Sequence, residues 1–167
     1  ENKEKYKLFV VEDCALALGS KIGKKYVGSF GNFSCFSFYP AKHITTADGG
    51  MLVCKNKSNL FLVKRLKSFG VDKTFSERKI PGEYDVKHLG LNYRMNELQA
   101  ALGIAQMKKI KIFLKKREAN FNLLRNLLQK IKYIKIIETG SFKNFRSSFY
   151  ALAIKLEGKL KNKRYEI

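Results

Sequence analysis

Two short apolar runs limit what this chain can fold into. "KLFVVED" (7–13) ends in two carboxylates, and "FSCFSF" (33–38) ends at a proline-containing turn. Runs of this length, rich in β-branched and aromatic residues, predict strands of a sheet. The first reads as a buried parallel strand that delivers Asp13 at its carboxyl end. "GGMLVC" (49–54) predicts a third strand launched from a Gly-Gly turn, and 15–33 reads as a glycine-punctuated connection.

Helical periodicity follows. "SNLFLVKRLKSFG" (58–70) places Leu62, Leu66 and Phe69 on one face, with Ser58 to cap its start and Gly70 its end. Residues 70–90 form a long polar excursion of the kind that carries function. A helix over 96–110 carries a capping box at Asn96 and Gln99 and a stripe of Leu98, Ala101, Leu102 and Ala105. A further helix over 113–131 aligns Phe121, Leu124 and Leu128. "YIKII" and "SSFYALAIKL" (147–156) predict strands of a smaller layer. Strand, helix and strand in this order mean an α/β protein, whose chemistry collects at the carboxyl ends of the strands.

At 167 residues and 45% hydrophobic, the chain can bury one ordinary core. Its net charge of +20 raises the possibility of nucleic acid, but the lysines are dispersed and no arginine-rich recognition helix appears. The expectation is no nucleic-acid partner, with weak attraction of an anionic substrate. No apolar run is long enough for a membrane span. Cys14, Cys35 and Cys54 are odd in number and widely spaced, which predicts reduced core residues, no metal site and a cytoplasmic location. The abrupt ends and the absence of a signal peptide predict a fragment of a longer protein.

Chemistry concentrates in "CFSFYPAKHITTADGG" (35–50). A lysine becomes a nucleophile when desolvation favours its neutral amine. Phe36, Phe38, Tyr39, Pro40 and Ile44 offer Lys42 such surroundings. A lysine beside apolar residues is more often a snorkelling surface group. Asp13 shifts that balance, because a pyridoxal cofactor needs a lysine for its aldehyde and an acid for its ring nitrogen. Asp13 could equally cap a helix.

The stretch "VVEDCALALGSKIGKKYVGSFGNFSCFSFYPAKHITTADGGMLV", with "LGLNYRMNELQAALGIAQMKKI" further on, resembles the nucleotide-sugar aminotransferases of the DegT/StrS type. The likeness is near-continuous from about residue 8 to about 130. It implies part of the large three-layer αβα domain of a fold-type I enzyme (1–112) and the start of a smaller C-terminal α+β domain (113–167). It implies pyridoxal 5'-phosphate as cofactor, a nucleotide-sugar substrate, L-glutamate as probable amino donor, and a homodimer with shared active sites. By position, Lys42 becomes the Schiff-base lysine and proton shuttle, Asp13 the partner of the ring nitrogen, and Ser37 a phosphate ligand. Asn92, assisted by Arg94, would reach the phosphate in the neighbouring subunit's site.

Two departures stand out. A polar residue usually lies three positions after the strand-end aspartate, and here it is Leu16. The turn after the lysine is "TTADGG" where the family has "TTGEGG". A dehydratase branch of the family replaces the lysine with histidine, so Lys42 argues for an aminotransferase, and His43 reads as a neighbouring side chain. The family's N-terminal phosphate loop is not visible in this chain. A non-catalytic remnant or regulatory subunit of the same fold is the alternative.

Overall fold

The computed structural model describes residues 5–137 and 143–166. Among them the strands are β1 (Val11–Asp13), β2 (Lys21–Ile22), β3 (Lys25–Tyr26), β4 (Phe33–Ser37), β5 (Gly50–Cys54), β6 (Ile134–Ile137), β7 (Phe145–Arg146) and β8 (Ala153–Leu156). The α-helices are α1 (Lys57–Leu66), α2 (Glu97–Met107) and α3 (Ile110–Leu128). The central sheet has the order β1-β4-β5, with β1 parallel and β5 antiparallel to β4. The mixture of helices and a part-parallel sheet is the α/β class that the element order predicts. Among the described residues no helix is long and apolar enough to cross a membrane.

Several elements differ from the sequence reading. The strand expected over 7–13 pairs only at Val11–Asp13, and Lys7 has left-handed backbone (φ 51°), which no strand accepts. That strand is not buried either, since Val11 is 56% exposed. The connection over 15–33 contains the β2–β3 hairpin, and β2 also pairs with β7 from far along the chain. Of the strand expected over 147–156, only Ala153–Leu156 pairs, antiparallel to β6. The first helix stops at Leu66 rather than 70, and Asn56 caps it: its Oδ1 accepts from Ser58 N at 2.8 Å. Gly70 still closes that end. Its N–H donates to Arg65 O, and its left-handed φ of 74° suits a residue without a Cβ.

The capping box at Asn96 and Gln99 forms as the sequence predicts. The stripe on α2 is uncovered among the described residues, with Leu98 83% exposed. α3 begins at Ile110, so one continuous helix crosses the expected 112/113 boundary. Phe121 of α3 meets the ring of Phe149 at 5.2 Å. Cys14 is buried, but Cys35 is exposed, because it stands opposite Asp13 on the open face of the sheet.

Glu12 organises the loop between the first two central strands. Its carboxylate accepts from the backbone N–H groups of Gly28 (2.7 Å), Phe30 (2.7 Å) and Gly31 (2.6 Å). Burial raises its pKa, but those amides outweigh burial and hold the carboxyl below its ordinary value. A lowered folded-state value stabilises the fold above the ordinary glutamate range, and that contribution is lost as pH falls through the folded value. Glu12→Gln is therefore expected to cost about 1–2 kcal/mol at neutral pH. Urea titrations at neutral and acid pH should show the difference between the two proteins shrinking as pH falls.

Candidate active site

The loop carrying Lys42 is fixed by its own backbone before any side chain reaches outward. Phe38 N donates to Gly49 O (2.9 Å) and Thr46 N to Phe38 O (3.0 Å). Thr45 Oγ1 donates to Phe38 O and accepts from Ala47 N, both at 3.0 Å, while Thr46 Oγ1 donates to Asp48 O at 2.6 Å. Helix α2 clamps the turn from outside: Thr45 N donates to Gln106 Oε1 (3.1 Å) and Gln99 Nε2 to Asp48 O (3.0 Å). Ala47 adopts φ 68°, the left-handed region. This is the position where the resembling sequences carry glycine, and a Cβ there costs about 1–2 kcal/mol.

Asp13 and Ser37 end neighbouring parallel strands. Asp13 stands opposite Cys35, and Ser37 lies two residues beyond Cys35, so all three side chains share one face. Asp13 is exposed. Its Oδ1 accepts from Ala15 N at 3.0 Å, and its other oxygen has no partner among the described residues. Ser37 Oγ accepts from Tyr39 N at 3.3 Å, which leaves its own hydrogen available. Lys42 follows in a turn closed by its N–H to Tyr39 O (2.9 Å), and its side chain is half-buried.

The apolar surroundings expected for Lys42 are not the ones the fold supplies. Phe38 and Ile44 turn into the core, 8% and 3% exposed, while Tyr39 is 58% exposed. Instead the ammonium of Lys42 lies 5.3 Å from the ring centroid of Tyr150. The neighbours in sequence lie either in the core (Phe38, His43, Ile44) or in solvent (Tyr39, Pro40, Ala41), and the ring that Lys42 meets comes from a remote segment. The carbonyl of Tyr150 accepts from Arg117 Nη1 (3.3 Å), and the guanidinium lies 6.0 Å from the ring.

His43 is not a bystander. It is 5% exposed, and its Nε2 donates to Ser148 O at 3.0 Å. Its Nδ1 has no partner among the described residues. Burial lowers its pKa, with Arg117 and Lys42 adding to the effect and the Ser148 carbonyl opposing it, so the ring is neutral at physiological pH. Ser148 gathers more: its N–H donates to Ser20 Oγ (3.0 Å) and its Oγ to Leu16 O (3.1 Å). One buried serine thus ties the segment after Asp13 to the segment after Lys42. The sequence signal for His43 was its place beside Ile44, at the point where the loop turns inward.

Asn92 precedes helix α2. It forms a β-bridge with Ser68, and its side-chain oxygen accepts from Arg94 Nε at 3.1 Å. The fold brings Asp13, Ser37 and Lys42 to the carboxyl ends of the central sheet. Among the described residues no hydrogen bond joins Asn92 to them. Leu16, 49% exposed, adds no hydrogen-bonding side chain beside Asp13. Among the described residues no cluster of three or more His, Cys, Asp or Glu could hold a metal ion.

The profile of the DegT/DnrJ/EryC1/StrS aminotransferase family matches residues 2–167. The chain is 35% identical over 151 residues to a UDP-4-amino-4,6-dideoxy-N-acetyl-beta-L-altrosamine transaminase of Campylobacter jejuni, covering 90% of this chain and 39% of the relative. It is 34% identical over 143 residues to a dTDP-4-dehydro-2,6-dideoxy-D-glucose 3-dehydratase of Saccharopolyspora spinosa, covering 75% of this chain and 31% of that protein. The solved structure of Helicobacter pylori PseC, an aminotransferase involved in the biosynthesis of pseudoaminic acid, superposes with a TM-score of 0.82 at 32% identity. That superposition covers 95% of this chain and 41% of PseC. The chain therefore spans between three- and four-tenths of the length of the curated relatives it matches.

The site generates two expected outcomes. Ala47→Gly relieves left-handed strain and should stabilise the protein by about 1 kcal/mol in urea titrations. His43→Phe leaves the buried Ser148 carbonyl unpaired and should destabilise by about 1–3 kcal/mol. The folded-state pKa of His43 is lowered, so the unfolded chain binds the proton first and stability falls as pH drops below the ordinary histidine value. Unfolding midpoints measured from neutral to acid pH should lose this component of their slope in His43→Phe.

Proposed function

The chain belongs to the DegT/DnrJ/EryC1/StrS aminotransferase family, and we propose that it carries the lysine-bearing part of a pyridoxal-phosphate-dependent aminotransferase acting on a nucleotide-linked keto sugar. The observation that carries this reading is the placement of Lys42 beyond the same sheet edge at which Asp13 and Ser37 end their strands. The donor set fits the cofactor: an amine for its aldehyde, a carboxylate with one unpartnered oxygen for its ring nitrogen, and a free hydroxyl hydrogen for its phosphate.

When bound, pyridoxal phosphate supplies the aldehyde that exchanges amines and a protonated ring that draws electrons from the substrate carbon. Asp13 keeps the proton on the ring nitrogen, because a carboxylate favours the charged form of a neighbouring base. Ser37 donates to the phosphate. Lys42 anchors the group and moves the proton between donor and acceptor carbons. L-glutamate gives up its amino group and leaves as the 2-oxo acid, and the keto sugar leaves as an amino sugar. Asn92, which makes no hydrogen bond to these three among the described residues, serves a second subunit's site in a homodimer. The free cysteines accord with a cytoplasmic setting.

A cleft of about 310 Å³ lined by Lys64, Arg65, Lys73, Arg78 and Arg94 lies on the Asn92 side of the fold and suits an anion there. Overall similarity does not separate transaminase from dehydratase, because relatives of both names match at nearly equal identity. The lysine at position 42 is what favours the aminotransferase.

Reduction of the full-length protein with borohydride in the presence of pyridoxal phosphate is the test. The expected outcome is a single modified peptide containing Lys42, lost in Lys42→Ala together with the visible absorbance band and all transamination. Label scattered over surface lysines would instead favour the non-catalytic remnant.

A further inference from the structure

Lys42 has a partner that the proposed chemistry does not use. Its ammonium lies 5.3 Å from the centroid of the Tyr150 ring. That is inside the distance at which a ring face attracts a cation. The ring is itself held in place. Its residue's carbonyl accepts from Arg117 Nη1 at 3.3 Å, and the His43 ring packs against it at 5.5 Å and 49°. Two residues before it, Ser148 is fixed by three hydrogen bonds to Leu16, Ser20 and His43. The Tyr150 hydroxyl has no hydrogen-bond partner among the described residues, so the anchored part is the ring and backbone.

We propose that Tyr150 is a positioning residue for Lys42: its ring face holds the protonated amine of the lysine whenever that amine is not engaged by the cofactor. The inference rests on the proposed function for its purpose and on the geometry for its substance. A lysine side chain has four flexible bonds and loses much rotamer freedom when held in one place. In a two-half reaction the amine is released and must return to the same carbon each time. A ring at one fixed spot narrows where the freed amine waits. Arg117, 6.0 Å from the same ring, competes for it with its own charge. The neutral state of His43 keeps a third cation away.

The ring, not the hydroxyl, carries the effect, which gives the test its shape. In the full-length protein freed of cofactor, the rate at which an amine-acylating reagent modifies Lys42 is measured by peptide mass spectrometry. Tyr150→Phe should match the wild type, while Tyr150→Leu should label about two- to fivefold faster, the range set by an exposed cation–ring contact. In the loaded enzyme Tyr150→Leu should lower kcat by a similar factor of about two to five, with KM for the amino donor within about twofold. If Tyr150→Leu fails to fold, Tyr150→Met gives the same comparison without a ring. Equal labelling of Lys42 in the wild type and the ringless variants overturns the proposal, as does a Tyr150→Phe variant as impaired as Tyr150→Leu. The acylation comparison needs no cofactor. Failure of pyridoxal phosphate to modify Lys42 would thus sink the aminotransferase reading and leave this one to be decided separately.

Discussion

Ser148 holds the site together. Its backbone N–H, its carbonyl and its hydroxyl each make a buried or part-buried hydrogen bond, to Ser20, His43 and Leu16. The first and third partners follow Asp13 by a few residues; the second follows Lys42 directly. Beyond the β1–β4 pairing, the loops after the acid and the lysine are therefore tied by a residue more than a hundred positions further along the chain. Buried polar groups of this kind are expensive when unpaired and give a unique arrangement when paired. Local sequence could shape the two loops, but it could not fix them against each other. The β2–β7 pairing, Lys21 opposite Arg146, adds a backbone connection between the segment after Asp13 and the strand just before Ser148.

This division explains what was legible beforehand. Elements governed by local rules were readable: the capping box of Asn96 and Gln99, the Gly-Gly launch of β5, and the strand that carries Ser37. Asp13 and Lys42 were singled out through the fixed order of many residues around them, and the parallel pairing of β1 with β4 puts Asp13 beside the strand that leads to Lys42. What escaped was tertiary. The hairpin in 15–33 has two-residue strands, too short to show a period. The role of His43 depends on a carbonyl at position 148. The aromatic neighbour of Lys42 was sought among Phe36, Phe38 and Tyr39, but Phe38 turns into the core and Tyr39 into solvent, and the ring comes from position 150. Cys35 was expected in the core, yet it shares Asp13's open face.

The two departures from the family pattern differ in kind. Ala47 is a backbone matter: its φ of 68° is the conformation glycine accepts freely, and the surrounding hydrogen bonds from Thr45, Gln99 and Thr46 hold the turn regardless. The strain is local and leaves the lysine's register intact. Leu16 is a side-chain matter. Its carbonyl keeps its place in the Ser148 knot, so the loop after Asp13 is built as if the side chain were irrelevant. Only a group bound beside Asp13 would sense that a polar contact is missing.

Among the many lysines of this chain, burial does not distinguish Lys42, since it is only half-buried. Position does. Its backbone is closed into a turn by Tyr39, the next residue is locked into the core, and its ammonium meets an aromatic ring that two separate segments immobilise. A snorkelling lysine keeps its stem on apolar surface and its charge in bulk water. Lys42 instead places its charge on a ring face. Neutral His43 completes the arrangement: a charged ring there would bring another cation to Tyr150, beside Lys42 and Arg117. The lowered pKa of His43 and the placement of Lys42 thus follow from one packing decision, the burial of the residue next to the lysine.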